Sequence, residues 1–210
     1  MKKLVAFIVG GLISTSAFSQ GYDNYQGGKY SFDTVVSLST GKAELDDVEG
    51  DANIHSAAVA FDFHRFPVEL ELRYSGLSSD YTYSTYEGDV LIEEIKLEGQ
   101  LNNIGLGAKL DLSWNCQEVC AYLMAGYNFS DLSVDGYYNG DKAGDYSTDV
   151  DFAHWGAGVR YDFTNNLRAT IEYLQYNIGK QKLDAVEGFE LGEVDFGKAT
   201  AWQAGVGYRF

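Results

Sequence analysis

From residue 30 onward, apolar and polar side chains alternate with a period of two, the spacing of a strand that shows different surroundings to its two faces. Tyr30, Phe32, Thr34, Val36 and Leu38 share one face against Ser31, Asp33, Ser37 and Ser39, with Val35 the exception. Ala57, Val59, Phe61 and Phe63 alternate with Ser56, Ala58, Ala60 and Asp62, and Val68, Leu70, Leu72 and Tyr74 alternate with Glu69, Glu71, Arg73 and Ser75. Ile104, Leu106, Ala108, Leu110, Leu112 and Trp114 form a fourth row. Ala121 to Phe129, Ala153 to Phe163 and Leu167 to Tyr173 supply three more on odd positions, and Thr200 to Phe210 an eighth on even ones.

Before the fourth row, Leu91, Glu93, Ile95 and Leu97 alternate on odd positions instead, so the pattern predicts a phase slip, a bulge or break, near Gly99 to Asn103. A single strand from Val90 to Trp114 would be about 80 Å long, well over twice a bilayer core. Its outer part is therefore expected to project as a hairpin.

The connections sort by length. His64 to Pro67, Asn115 to Cys120 and Thr164 to Asn166 are short, and the only proline sits in the first of them, where a missing N–H is tolerated. Gly41 to Asp51, Gly76 to Gly99, Ser130 to Asp149 and Asn177 to Lys198 are long, and glycine, aspartate and tyrosine there predict solvated loops. In a meander of eight strands, all short turns then share one end with both termini. The expected fold is an all-β, eight-stranded antiparallel up-and-down transmembrane β-barrel, closed so that no strand edge is left unpaired in lipid. Tyr30 and Phe32, Tyr161 and Phe163, and Tyr208 and Phe210 are expected to form an interfacial girdle near the short-turn end.

Composition agrees with a barrel. The 210 residues include 24 glycines, 16 tyrosines and one proline. No later segment approaches the run of about 20 apolar residues that a membrane helix needs. Lys2 and Lys3 precede an apolar run from Leu4 to Ile13, and Ala17 and Ser19 offer a small-x-small cleavage site. Residues 1–19 are read as a signal peptide and 20–210 as the barrel domain. The formal charge of −16 argues against a nucleic-acid partner and against a basic patch for anionic lipid.

The ending Ala-Gly-Val-Gly-Tyr-Arg-Phe, with Gly-Ala-Gly-Val-Arg-Tyr-Asp-Phe at Gly156 to Phe163, resembles the small eight-stranded outer-membrane proteins of the OmpX, Ail and OmpA-barrel kind. The resemblance covers the strands, not the loops. It implies a Gram-negative outer-membrane location with long loops extracellular and termini periplasmic, and delivery through recognition of the C-terminal strand by the barrel assembly machinery. It specifies no single activity, because the family includes adhesion and serum-resistance proteins as well as membrane anchors.

An eight-stranded barrel is just wide enough for side chains to fill its lumen. Glu69, Glu71, Arg73, Lys109, Arg160, Glu172 and Arg209, with Asp62, Asp111, Asp162 and Arg168, are predicted to point inward and form an ion-pair network, because unpaired charges there would be costly. Cys116 and Cys120, outside the cytoplasm, suit a local disulfide worth about 2 kcal/mol before strain. No metal site or cofactor is expected. The tyrosines Tyr81, Tyr83 and Tyr86, beside loop acids such as Asp135, Asp141 and Asp145, are the candidate binding surface for an extracellular or host ligand. Outer-membrane lipid and lipopolysaccharide are the other expected partners, and the chain is expected to be a monomer.

Two alternatives remain open. One is a lipid A-modifying enzyme, for which His154 points inward, but Gly156 occupies the next same-face position, where such barrel enzymes carry serine. The other is a narrow pore.

Overall fold

A computed structural model describes residues 32–45, 48–63, 66–87, 90–112, 118–183, 192–195 and 197–210. The signal peptide, Tyr30 and Cys116 lie outside these residues. The strands are β1 (Phe32–Leu45), β2 (Val48–Phe63), β3 (Val68–Glu87), β4 (Val90–Asp111), β5 (Val119–Tyr138), β6 (Asp141–Asp162), β7 (Leu167–Asn177), β8 (Lys180–Leu183), β9 (Gly192–Asp195) and β10 (Lys198–Arg209). Eight of them close a barrel in the order β1-β10-β7-β6-β5-β4-β3-β2, while β8 and β9 form a separate two-stranded hairpin. Closure is made by the last strand on the first, antiparallel from Val35↔Arg209 to Leu45↔Ala199. The eight-stranded antiparallel barrel is thus the fold of this chain.

Alternation sets the faces. Leu38, Val206, Trp202, Ile171 and Leu106 point out and remain more than half exposed, while Glu71, Arg73, Tyr122, Leu174 and Gln203 point in and are buried. Outside, the apolar rows end together. The first polar outward residues are Thr40, His55, Ser78, Asn102, Asp131, Asp151, Gln175 and Thr200, above Leu38, Ala57, Tyr74, Ile104, Phe129, Ala153, Tyr173 and Trp202. Trp202 and Phe210 bound this band on β10 eight residues apart. At about 3.4 Å per residue and a tilt of roughly 40° that is about 21 Å, close to the apolar height of membrane barrels. Aromatic pairs mark the short-turn edge, with ring centroids 4.6 Å apart for Tyr161 and Phe163 and 4.8 Å for Tyr208 and Phe210. Tyr127 with Phe129 and Tyr173 with Trp202 mark the other.

Two expectations are corrected. The predicted phase slip is absent, because the β3–β4 and β4–β5 ladders run through Gly99 to Asn103 without a register shift. Apolar residues change face there because the surroundings change. Below this level the outward face meets lipid, whereas above it that face meets water and the inner face is the sheltered one at Leu101, which is buried, while Leu97 further out is exposed.

Three of the four predicted long loops are also largely ladder. β1 and β2 extend to Leu45 and Val48, β3 and β4 to Glu87 and Val90, and β5 and β6 to Tyr138 and Asp141. At the tip of the last hairpin, Asn139 and Gly140 take φ of 48° and 88°, as a two-residue hairpin turn of the mirror-image type requires. Composition suggests loop; strand-forming Tyr, Thr and Val, closed by Asn-Gly, decide for strand.

The ladder heights are unequal. β2 leaves β3 above Asn53↔Ser78, and β6 leaves β7 above Ala153↔Asn177, so β3 to β6 continue as a four-stranded projecting sheet.

Candidate functional site

Inside the barrel the short-turn half is ionic. Glu71 accepts from Arg73 Nε at 2.7 Å and lies 2.6 Å from Lys109 Nζ, and Glu172 binds Arg73 Nη2 at 2.7 Å and Lys109 Nζ at 3.0 Å. Tyr122 donates its hydroxyl to Glu172 at 2.7 Å. Nearer the mouth, Arg168 reaches Glu69 at 2.6 Å, Asp162 at 2.9 Å and Asp62 at 3.1 Å. Arg160 binds Asp111 at 2.7 Å, and Arg209 of the closing strand meets Asp62 and Asp162 at 3.3 and 3.2 Å. Glu69, Glu71, Arg73, Lys109, Arg160, Glu172 and Arg209 therefore all stand in one lumen cluster. Each long charged side chain is held by several partners from different strands, the condition under which buried ions are tolerated.

A thin polar layer follows. Ser39 and Ser56 donate to Gln203 Oε1, both at 2.9 Å, and Asn128 Nδ2 lies 2.9 Å from His154 Nδ1. Glycines make room for these side chains. A methyl on Gly126 would collide with the Leu106 carbonyl and meet the His154 ring at 2.5 Å, and one on Gly158 would strike the Tyr122 ring. His154 is thus packed among Asn128, Tyr176 and glycine backbone, with Gly156 at the next inward position.

The hairpin half of the lumen is apolar. Ala43, Ala52, Ile54, Leu77, Leu101, Val150, Phe152, Leu174, Tyr176, Ile178, Ala199 and Ala201 belong to one buried cluster, with Phe152 and Tyr176 edge to face at 5.7 Å. Reasoning from sequence missed this layer. Its residues sit where the strands were read as giving way to loops, and the dyad spacing of Val150, Phe152 and His154 with that of Leu174 and Tyr176 was the available signal.

Above the lumen, the projecting sheet carries the predicted surface residues. Tyr81 pairs with Leu97, Tyr83 with Ile95 and Tyr86 with Leu91, and a bulge falls between Thr85 and Tyr86. Tyr81 is half-buried and Tyr86 is 62% exposed, while the Tyr83 side chain lies outside the described residues. Lys96 binds Glu98 at 2.6 Å, and Lys142 binds Asp135 at 2.9 Å. Hydrogen bonds to those carboxylates hold both ammonium groups above their ordinary range. Across β5 and β6, Asp131 faces Asp149, and the hydrogen bond between their carboxyls raises Asp131. Cys120 is buried at the short-turn end and is not a free thiol. Among the described residues no group of three His, Cys, Asp or Glu is placed to hold a metal ion.

The sequence matches the model of the outer membrane protein beta-barrel domain over residues 5–210. The chain belongs to that family. The barrel is a Gram-negative-type outer-membrane protein, and its apolar belt is the surface that meets lipid. Among solved structures it is similar to Neisserial surface protein A, at 18% identity and a TM-score of 0.59, covering 87% of this barrel and 100% of that one. It is also similar to a major outer membrane protein from Thermus thermophilus, at 14% identity and a TM-score of 0.55, over 84% of this chain and 99% of the other. Ail, the attachment invasion locus protein of Yersinia pestis, matches at 13% identity and a TM-score of 0.48, over 85% and 97% of the two chains. These likenesses establish the fold alone. No curated protein sequence matches the barrel.

Proposed function

We propose that this barrel is a non-conducting surface protein that displays the projecting β3–β6 sheet outside the cell and binds an extracellular or host partner through it. One observation carries the reading: β3 and β4 keep pairing to Glu87↔Val90 after β2 has left β3 at Ser78, so the tyrosine-bearing end of β3 has one edge with no paired strand among the described residues. Unpaired edge groups and tyrosine side chains are the usual means of extended-surface recognition. The short turns and both termini then face the periplasm, and the C-terminal strand is the segment offered to the assembly machinery.

The lumen works as a plug and not as a path, since ionic and apolar layers fill it in series. The enzymatic alternative gains nothing from the surroundings of His154, whose ring nitrogen is engaged by Asn128 and whose neighbours are glycines. Cys116 and Cys120 are taken as a disulfide that fixes the β4–β5 turn, a pairing supported by the burial of Cys120.

The test is to shorten the β3–β4 hairpin symmetrically by deleting residues 81–97. Heat-modifiable migration on gels then reports whether the barrel still folds. The expected result is a folded barrel with reduced attachment of cells to host surfaces or matrix. Undiminished attachment would overturn the proposal.

A further inference from the structure

The projecting sheet has a second free edge, on β6. The β5–β6 ladder runs up to Tyr138↔Asp141, whereas β6 and β7 part above Ala153↔Asn177. Just beyond the last β7–β10 pair, Gly179 and Gly197 take left-handed conformations, at φ of 66° and 58°, and the Gly179 N–H donates to the Gly197 carbonyl at 3.0 Å. Past them β8 and β9 pair only with each other, so above Ala153 one side of β6 has no paired strand among the described residues. The ladder below fixes where its hydrogen-bonding groups point. Asp162 donates its N–H to Glu118, at the start of β5, and Phe163 to Leu167 of β7, both at 2.9 Å. No register shift falls between Asp145 and Tyr161, so the N–H groups of odd-numbered residues such as Ser147 and Asp149 point to the open side.

Side chains along this edge are sorted by face. Asp145, Ser147, Asp149 and Asp151 are outward and exposed, while Tyr146 and Thr148 are half-buried on the inner face, above Val150 and Phe152 of the apolar plug. The Tyr146 hydroxyl has no hydrogen-bond partner among the described residues. Residues 131–151 contain six aspartates and one lysine, and that lysine, Lys142, is already held by Asp135 and Asp145. An outward cleft of about 680 Å³ at the base of the sheet is lined by Tyr74, Asn102, Phe129, Asp131, Asp149 and Asp151. Carboxylates beside aromatic rings suit a guanidinium, which pairs with the first and stacks on the second. The β3 edge is different, since its outward Ser78, Asp80, Thr82 and Ser84 bring a single charge.

We propose that β6, from Asp145 to Asp151, is the docking edge for an extended segment of an extracellular protein in which basic and apolar residues alternate. The segment adds a strand to the sheet. Its backbone takes the free N–H and C=O groups of β6, its basic side chains lie against Asp145, Asp149 and Asp151 and the neighbouring cleft, and its apolar ones extend the Tyr146–Thr148 row. Strand addition draws affinity from the main chain and specificity from alternate side chains. Here the acidic face selects the partner's charge, and the alternation selects its register. This assignment rests on the proposal above that the projecting sheet binds a partner, and it names the edge and the chemistry of that partner.

The test is fluorescence anisotropy of labelled six-residue peptides with the full-length folded barrel in neutral detergent. An alternating Arg-Val peptide is expected to bind, and to bind less as salt is raised. A peptide of three arginines followed by three valines is expected to bind more weakly, and an alternating Glu-Val peptide not at all. Asp149→Asn with Asp151→Asn should weaken the Arg-Val peptide about fivefold, the effect of two exposed ion pairs. Ser147→Pro keeps every charge and removes one N–H from the open side, a place where an edge strand tolerates proline, and should abolish binding; heat-modifiable migration checks that both variants fold. Equal affinity for the alternating and block peptides would overturn the strand-addition geometry. Unchanged affinity in both variants would overturn the β6 edge. Cell attachment after deletion of residues 81–97 tests the surface-binding role separately.

Discussion

The two halves of the lumen are closed by opposite means. Around Glu71, Glu172 and Arg168 the plug is held by directional contacts, in which each charge has specific partners on other strands. Around Ile54, Leu174 and Phe152 it is held by shape and apolar contact alone. Both fill a similar cross-section, yet they should fail differently. An ionic layer is intolerant of losing one member, because the remaining charges stay buried and unpaired. An apolar layer responds to volume and is largely indifferent to which aliphatic side chain supplies it.

Breaking that comparison gives the largest effect at Arg168. Arg168→Met leaves Glu69, Asp62 and Asp162 without their shared partner. Urea unfolding of the folded barrel in lipid should show a loss of about 3–5 kcal/mol. In the apolar half Leu174→Ala should cost about 2–4 kcal/mol by opening a cavity, and Leu174→Met less than about 1.5. Arg168→Lys, although charge-conserving, should be clearly worse than Leu174→Met, because three carboxylates on different sides need the planar fork. Similar losses for these two conservative variants would erase the distinction.

At the boundary between the halves, Gly126→Ala forces a methyl against backbone and the His154 ring, and about 1–3 kcal/mol is expected by the same unfolding assay. The smallest effect lies outside the lumen. Asp131 is raised by the hydrogen bond its protonated carboxyl donates to Asp149, so the folded sheet binds that proton more tightly than the unfolded chain does. This contribution is present at low pH and is lost as pH rises through the raised value. Carboxyl NMR titration should show Asp131 above the ordinary aspartate range and returning towards it in Asp149→Asn, whereas an unchanged titration would rule out the shared proton.

Legibility from sequence follows the same division. Glu69, Glu71 and Arg73 alternate with Val68, Leu70 and Leu72, so the pattern names both the strand and its inner face. Leu101, Val150 and Phe152 could not be read that way. The rule that apolar means outward holds only within the lipid belt, and above it the same chemistry marks the inside. The projecting sheet was obscured for a related reason, since its Asp and Gly residues favour loops by propensity and cross-strand pairing overrides that preference. Asn139-Gly140 was the local feature that distinguished the two. The pairing of Arg168 with Glu69, 99 positions apart, follows from barrel closure and register, which no local pattern encodes.

The most direct test of the two-layer plug is single-channel recording from the purified full-length barrel in a planar bilayer, beside a variant that opens both layers together, Arg168→Ser with Phe152→Ala. A silent wild-type baseline and discrete current steps in the double variant are expected. Discrete steps from the wild-type protein would contradict the plug.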